Sequence, residues 1–290
     1  MKLKKVNNSQ NEKMKYKIKL IFISFLLLVF SANGLCQDIY DSANSHRYAD
    51  YLFKSKEYTR AVLEYERTCF LDSQNWDAHF YLMQSYRKSG QETKGLKHFQ
   101  SIRFRLPQNQ LLPFEHENHV CRFIAQPSWF ITKTEKDSVS ELPYFKSPAL
   151  LLSHDWNAAK TYLSGINYKN DKTLTKYYDN SVEGLKLNYK KPWLAGTMSA
   201  IVPGLGKVYT GYYKDGIMAF LMTGVSAYQA YRGFKAKGAG SGIFIIYTGL
   251  TAGFYLGNIY GAVKSARQKN RKINDRIDKK TYEVFYQWAE

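Results

Sequence analysis

The sequence feature that most constrains the fold is a long uncharged stretch near the C-terminus. Ile243 to Val263 is a run of 21 residues without a charged side chain. A helix of that length can cross the hydrocarbon core of a bilayer. Tyrosines and basic residues border the run, as they do at membrane interfaces. We therefore predict a membrane-spanning helix here, with a buried helix of a soluble protein as the alternative.

Glycines recur inside this stretch at every fourth position, at Gly249, Gly253, Gly257 and Gly261. This spacing places them on one helix face, where the backbone of another helix can come close. The nearest partner is the preceding segment, Ile217 to Tyr231, which carries small residues at the same period. We predict that both segments span the membrane as a hairpin. We expect the glycine face of the second segment to pack against the first segment. The same face is also a candidate contact for a homo-oligomer.

A second regularity lies towards the N-terminus, where residues 42–75 and 76–109 align at a spacing of 34. The aligned positions expected to pack or turn are Ala61, Tyr65, Gly90, Gly95 and Phe99. The region resembles two units of the tetratricopeptide (TPR) family, which implies two stacked helical hairpins. Ordinary amphipathic hairpins are the alternative. Lys56 and Ser73 depart from the family pattern, at a turn and at the end of the first unit.

Between these regions lies a proline- and glycine-rich motif. Its positions are Pro203, Gly204, Gly206, Tyr209, Gly211 and Gly216. Pro203 should end a short apolar helix that starts at Trp193, and the two glycines that follow should permit a tight turn. The pattern resembles TM2-type membrane domains and bacterial proteins of uncharacterised function that join TPR units to such a hairpin. The resemblance covers residues 190–270 and implies a two-span membrane module.

The first 36 residues have the composition of a signal peptide. A basic region of four lysines, at positions 13, 15, 17 and 19, leads into a mostly apolar run from Leu20 to Phe30. That run is too short to span a bilayer comfortably. Gly34 and Cys36 are small residues that fit cleavage before Gln37. A lipoprotein signal with an acylated Cys36 and an uncleaved anchor are the alternatives. Each of these would place the residues that follow outside the cytoplasm.

The formal net charge of +18 indicates an anionic partner. Basic residues flank the apolar stretches, at Lys186, Lys190 and Lys191 and again from Lys264 to Lys280. This placement favours membrane lipid as a partner over nucleic acid. It also creates a conflict. If two spans follow an exported domain, the eight basic residues from Lys264 to Lys280 lie outside the cytoplasm, against the positive-inside rule.

The sequence contains no recognisable catalytic constellation. Its richest ligand-like segment runs from Glu115 to Cys121 and resembles H-E-x-x-H with one residue missing. Three cysteines are too few for a disulfide framework. We expect Cys69 and Cys121 to be buried thiols, with a disulfide between them as the alternative. We predict a protein that is not an enzyme and needs no cofactor, and a metal-dependent hydrolase built on His116 is the competing hypothesis.

These features predict an all-α protein with a TPR-like helical repeat domain followed by a two-helix transmembrane hairpin. The predicted segments are a signal peptide (1–36), repeats (37–110), an irregular helical extension of the repeats (111–190), the membrane hairpin (191–266) and a basic tail (267–290). The expected function is a membrane-anchored scaffold or adaptor that binds protein partners. It would lie in the bacterial inner membrane with its repeats in the periplasm. An accessory factor for membrane-protein insertion or envelope assembly is the alternative.

Overall fold

The computed structural model describes Met14 and residues 17–24, 41–134 and 141–290. These residues form helices, turns and loops with no strand among them, so the all-α prediction is confirmed. Residues 17–24, within the predicted signal peptide, are helical. The predicted cleavage region at Gly34 and Cys36 lies outside the described residues. The chain divides into two compact units, one ending at Glu117 and the other beginning at Asn118.

Within the described residues 41–102, the first unit forms four helices, α1 (Ser42–Lys54), α2 (Tyr58–Leu71), α3 (Trp76–Lys88) and α4 (Glu92–Ile102). They form two helical hairpins, and each helix of the second hairpin begins 34 residues after its counterpart in the first (42 to 76 and 58 to 92). Asp41 and Asn75 cap α1 and α3 by accepting hydrogen bonds from backbone amides of the first turn. Such caps satisfy donors that a helix start leaves unpaired.

Equivalent positions of the two hairpins supply the core of the first unit. Its buried apolar side chains include Ala49, Leu52, Ala61, Tyr65, Leu82, Met83, Tyr86 and Phe99. Ala61 and Gly95, the small residues predicted where helices cross, are both buried. The Tyr65 hydroxyl donates a hydrogen bond of 2.7 Å to Asp50, so the polar end of this buried ring is satisfied.

The turn within each hairpin contains one residue in the left-handed backbone region. Gly90 has φ +75° and Lys56, at the equivalent position, has φ +62°. Glycine adopts this region freely, whereas a residue with a Cβ is strained there. The position at which Lys56 departs from the repeat pattern is therefore a site of local strain.

Helix α5 (Leu111–Ala125) begins in the first unit and ends in the second. Phe114 packs into a cluster with Met83, Phe99 and Ile102. Glu117 forms a buried, two-pronged ion pair with Arg87, with Nε–Oε1 and Nη2–Oε2 distances of 2.6 and 3.3 Å. Because removing one partner of a buried pair leaves an uncompensated charge, the loss of either residue should destabilise the packing of α5 against α3.

The described part of the second unit, which lacks residues 135–140, contains seven further helices, α6 (Leu142–Leu152), α7 (Trp156–Ser164), α8 (Lys172–Leu185), α9 (Pro192–Ile201), α10 (Leu205–Tyr209), α11 (Tyr213–Lys237) and α12 (Gly242–Ala289). Short 3-10 turns occur at Arg103–Arg105, Pro127–Phe130 and Gly238–Gly240. The 48-residue α12 is continuous from the predicted span into the predicted basic tail.

The end of α12 is part of the core of the second unit. Ile277 is buried in one cluster with side chains of α6, α7 and α8, and Phe285 is buried in another with Phe123 and Phe145. Glu183 of α8 also pairs with two basic residues of α12, Arg276 at 3.2 Å and Lys280 at 2.6 Å. The sequence assigned 267–290 to a separate tail and expected 111–190 to extend the repeats. In the structure, residues 142–185 and 277–285 fold together.

Candidate functional site

The proline- and glycine-rich motif belongs to a segment of two short helices, α9 and α10. Both ends of this segment lie beside the same end of the apolar part of α12. Helix α9 ends at Ile201, two residues before Pro203, and α10 then leads the chain back. The amide of Lys191, just before α9, donates a hydrogen bond of 3.3 Å to the hydroxyl of Tyr209 at the end of α10. The ammonium of Lys190 lies 4.7 Å from the centre of the same ring, a cation–π contact.

Polar side chains of α12 hold both ends of this turn. Asn270 accepts a hydrogen bond from the Lys190 amide and donates one to the Lys190 carbonyl, both at 2.8 Å. The hydroxyls of Thr210 and Ser265 lie 2.8 Å apart and are buried. Because entry and exit are bound to neighbouring turns of α12, the segment of α9 and α10 returns to the place from which it started, and we call this segment the re-entrant loop.

Three glycines of the motif stand where no side chain fits. A Cβ at Gly204, which has φ +90°, would lie 2.0 Å from the carbonyl oxygen of Gly216. At Gly206 it would lie 1.8 Å from the carbonyl oxygen of Ala195, and at Gly216 it would lie 2.7 Å from Val208 Cγ2. The backbones of α9, α10 and α11 thus touch directly at these residues, which explains the glycine spacing of the motif.

The C-terminal carbonyls of α9, which a helix end leaves unpaired, receive donors from α12. The Tyr255 hydroxyl donates to the Ala200 carbonyl at 2.6 Å, and Asn258 Nδ2 approaches the Ser199 carbonyl at 3.5 Å. The Ser199 hydroxyl in turn accepts from the Gly206 amide at 3.0 Å. Inside a bilayer a broken helix is tolerated where such partners satisfy its backbone.

The glycine face of α12 differs from the prediction. Among the described residues, a Cβ at Gly249, Gly253 or Gly257 would meet no atom within 4 Å, and at Gly261 it would meet the Lys207 side chain at 3.1 Å. The close approach between α11 and α12 occurs instead at Gly233, where a Cβ would lie 2.7 Å from the Phe244 nitrogen. The expected backbone contact of α11 with the four glycines is therefore not formed.

Two of these glycines line an open crevice of about 370 Å³ between α11 and α12. Its wall consists of Lys207, Asp215, Met218, Ala219, Met222, Gly253, Phe254, Gly257 and Asn258. Asn258 is 3% exposed, and its Oδ1 accepts no hydrogen bond from the part of the chain that the structure describes. The crevice therefore combines an apolar wall with an ammonium, a carboxylate and an amide.

Apolar side chains cover the outside of this module. Large examples include Ile217, Phe220, Val225, Ile245, Ile246 and Leu256, each at least half exposed. Among the described residues, α12 is the one helix both long and apolar enough to cross a membrane, and 6% of its most apolar window is buried. Helix α11 has 25 residues but falls short of that apolarity.

Several side chains of the segment from Glu115 to Cys121 form contacts other than metal binding. Glu115 pairs with Arg103 at 3.4 Å, Glu117 pairs with Arg87, and the His119 ring lies edge-on to Phe130 and Phe145. Within the described ranges, the segment contributes to no group of three ligand atoms close enough for one metal ion. Cys121 is buried as expected and Cys69 is half-buried, and in the described part of the chain neither forms a disulfide.

One group of ligand atoms does come together, and sequence reasoning missed it. Cys69, His79 and His98 bring a thiol and two imidazoles within 4.8 Å of one another in the first unit. They belong to α2, α3 and α4. Their spacing matches no short motif, and only the stacking of the two hairpins could have indicated that they meet.

Comparisons of the chain with models of protein families, with curated proteins and with solved structures find no match.

Proposed function

We propose that the protein is a membrane-anchored scaffold or adaptor that binds protein partners through TPR-like helices. The observation that carries the proposal is the uncovered apolar surface of α11 and α12. Only 6% of the most apolar window of α12 is buried, whereas the core helix of a soluble protein would bury most of it. Exposed apolar surfaces of this extent require lipid or a partner.

The residues at one end of the module support contact with lipid head groups. Lys190 and Lys191 precede α9, and Lys264, Arg267 and Lys269 follow the apolar part of α12. Basic residues and tyrosines in such positions favour anionic lipid and the interfacial layer. We place the anchor in the bacterial inner membrane and the repeats in the periplasm, because the leader has the composition of an export signal.

Tyrosines on the first helices of the two hairpins offer a surface for a partner. Tyr48 and Tyr51 stack with ring centres 6.4 Å apart, and Tyr81 stacks on Tyr65 at 5.9 Å. Tyr48, Tyr51 and Tyr81 are exposed. Tyrosine supplies a large contact area and a polar tip, which suits a protein interface. In TPR arrays, stacked repeats create concave binding surfaces.

A photo-crosslinking experiment tests this surface. A photoreactive amino acid at Tyr51, which is 62% exposed, is compared with one at Leu63 on α2, which is 61% exposed. We expect discrete protein adducts from position 51 in the native cell and none from position 63. The absence of adducts at position 51, or the same adducts at both positions, would contradict an adaptor that uses this surface.

A further inference from the structure

Three helices of the first unit converge on one cluster of nitrogen and sulfur ligands. Cys69 lies in the last turn of α2, His79 in the first turn of α3 and His98 in the second half of α4. The His79 Nδ1 and His98 Nε2 atoms are 2.9 Å apart, and the two rings stack with centres 5.1 Å apart. His79 is 3% exposed, while Cys69 and His98 are half-buried.

A backbone contact fixes the orientation of the His79 ring. Its Nε2 lies 3.3 Å from the carbonyl oxygen of Ser73, which can only accept a hydrogen bond. The Nε2 of the neutral ring therefore carries the proton, and Nδ1 presents its lone pair to His98. Histidine ligands of metal ions are commonly held in this way, with the second ring nitrogen donating to a carbonyl.

We propose that Cys69, His79 and His98 bind a divalent transition-metal ion of the Zn²⁺ class. One thiolate and two imidazoles are ligands that Zn²⁺ prefers, at bond lengths of about 2.3 and 2.0–2.1 Å. Tetrahedral bonds of those lengths place ligand atoms about 3.3–3.7 Å apart, so the three side chains need only small movements. The ion would lie between His98 Nε2 and His79 Nδ1, and the proton that His98 Nε2 donates to His79 would move to His98 Nδ1, so that His98 stays neutral. The ion would link α2, α3 and α4.

The protonation states of the two histidines fit this role, whereas the thiol must lose its proton on binding. Burial lowers the pKa of His79, and it lowers the pKa of His98 to about 4. Both imidazoles are therefore neutral at pH 7 and can bind a metal without losing a proton to solvent. Burial raises the pKa of the Cys69 thiol to about 12. Binding must then release the thiol proton, so affinity should fall as the pH falls.

The charges around the cluster are mixed. The negative charges of Asp72 and Glu66 disfavour the thiolate form of Cys69 and so help to raise its pKa. Asp72 also favours the charged form of His79. The guanidinium of Arg105 disfavours the charged forms of both histidines. Three protein ligands leave a fourth position, which Asp72 or a water molecule could fill. A structural role is the simplest one, because the three ligands come from both helical hairpins.

The test titrates the full-length protein in detergent, stripped with a chelator, with Co²⁺ as a probe and then with Zn²⁺. We expect one equivalent of Co²⁺ to produce the intense visible absorption of a tetrahedral ion and a near-ultraviolet thiolate-to-cobalt band. Zn²⁺ should displace both signals. In weakly buffered solution at pH 7, about one proton should be released per ion bound.

Matched variants decide the assignment. Cys69→Ser should abolish the thiolate band, and both it and His98→Gln should weaken binding by at least about tenfold. Cys121→Ser and His116→Gln should bind like the natural sequence. Circular dichroism checks that each variant is folded, and should Cys69→Ser fold poorly, His98→Gln alone decides. No Co²⁺ binding by the folded protein, a thiolate band that persists in Cys69→Ser, or tight binding by His98→Gln would overturn the proposal.

Discussion

Lys56 and Gly90 occupy equivalent turns of the two helical hairpins, and both have a left-handed backbone. A residue with a Cβ in that region is destabilised by about 1–2 kcal/mol. Replacing it by glycine removes this strain, but glycine also increases the entropy of the unfolded chain, which offsets part of the gain. We predict that Lys56→Gly raises the free energy of unfolding of the first unit by about 0.5–1 kcal/mol. Amide hydrogen exchange within α1–α4 measures the change.

Gly90→Ala is the matched control for that substitution. Among the described residues a Cβ at Gly90 meets nothing within 4 Å, so backbone strain alone should lower the free energy of unfolding, by about 1–2 kcal/mol. Equal exchange protection in Lys56→Gly and the natural protein would contradict the assignment of strain to this turn.

The sequence located this turn but not the cluster of Cys69, His79 and His98. The repeat spacing pairs Lys56 with Gly90 directly, since both are defined by their place within one hairpin. The three ligand residues come from three helices and are separated by 10 and 19 positions. Their meeting depends on how the hairpins stack, which no local pattern encodes.

At the scale of elements, the re-entrant loop of α9 and α10 depends on close contact between backbones. We predict that Gly206→Ala lowers the stability of the module by about 3 kcal/mol, because its Cβ would lie 1.8 Å from the Ala195 carbonyl oxygen. The measurement is the temperature at which the detergent-solubilised protein loses its monodisperse elution peak.

Gly257→Ala provides the control, since among the described residues a Cβ there meets nothing within 4 Å. It replaces one helical glycine by alanine and should change stability by less than about 1 kcal/mol in either direction. If Gly206→Ala and Gly257→Ala melted at the same temperature, the contact between α9 and α10 would not limit the stability of the module.

The glycine face shows how a correct period can lead to a wrong contact. An α-helix turns about 100° per residue, so a four-residue period drifts by about 40° per step. From Gly249 to Gly261 the face rotates by about 120°, and only Gly261 reaches the packed side, at Lys207. The motif is simpler to read, because Pro203 and the glycine pair after it act locally, between the end of α9 and the start of α10.

At the scale of the whole molecule, the fold restricts how the chain can cross a membrane. The segment before α9 and the end of α12 share one core, through Ile277 and Phe285, so they lie on the same side. The number of crossings between residues 190 and 270 must therefore be even. The sequence did not predict this shared core. The buried Ile277, Thr281 and Phe285 recur at a four-residue spacing, but the many basic residues around them make the segment look like a solvated tail.

If α12 crosses the bilayer, as its composition permits, the second crossing must be α11, because the re-entrant loop returns to its own side. This holds although α11 is the less apolar helix, because packing against the partner helix of a hairpin can stabilise it in the membrane.

We predict that a membrane-impermeant maleimide labels Lys169→Cys and Lys279→Cys from the same side of the membrane and labels Ala239→Cys from the opposite side. All three positions are exposed, and the native cysteines are replaced by serine in each variant. Labelling of positions 169 and 279 from opposite sides would contradict the shared core, whereas labelling of all three from one side would show that the hairpin lies on the membrane without crossing it.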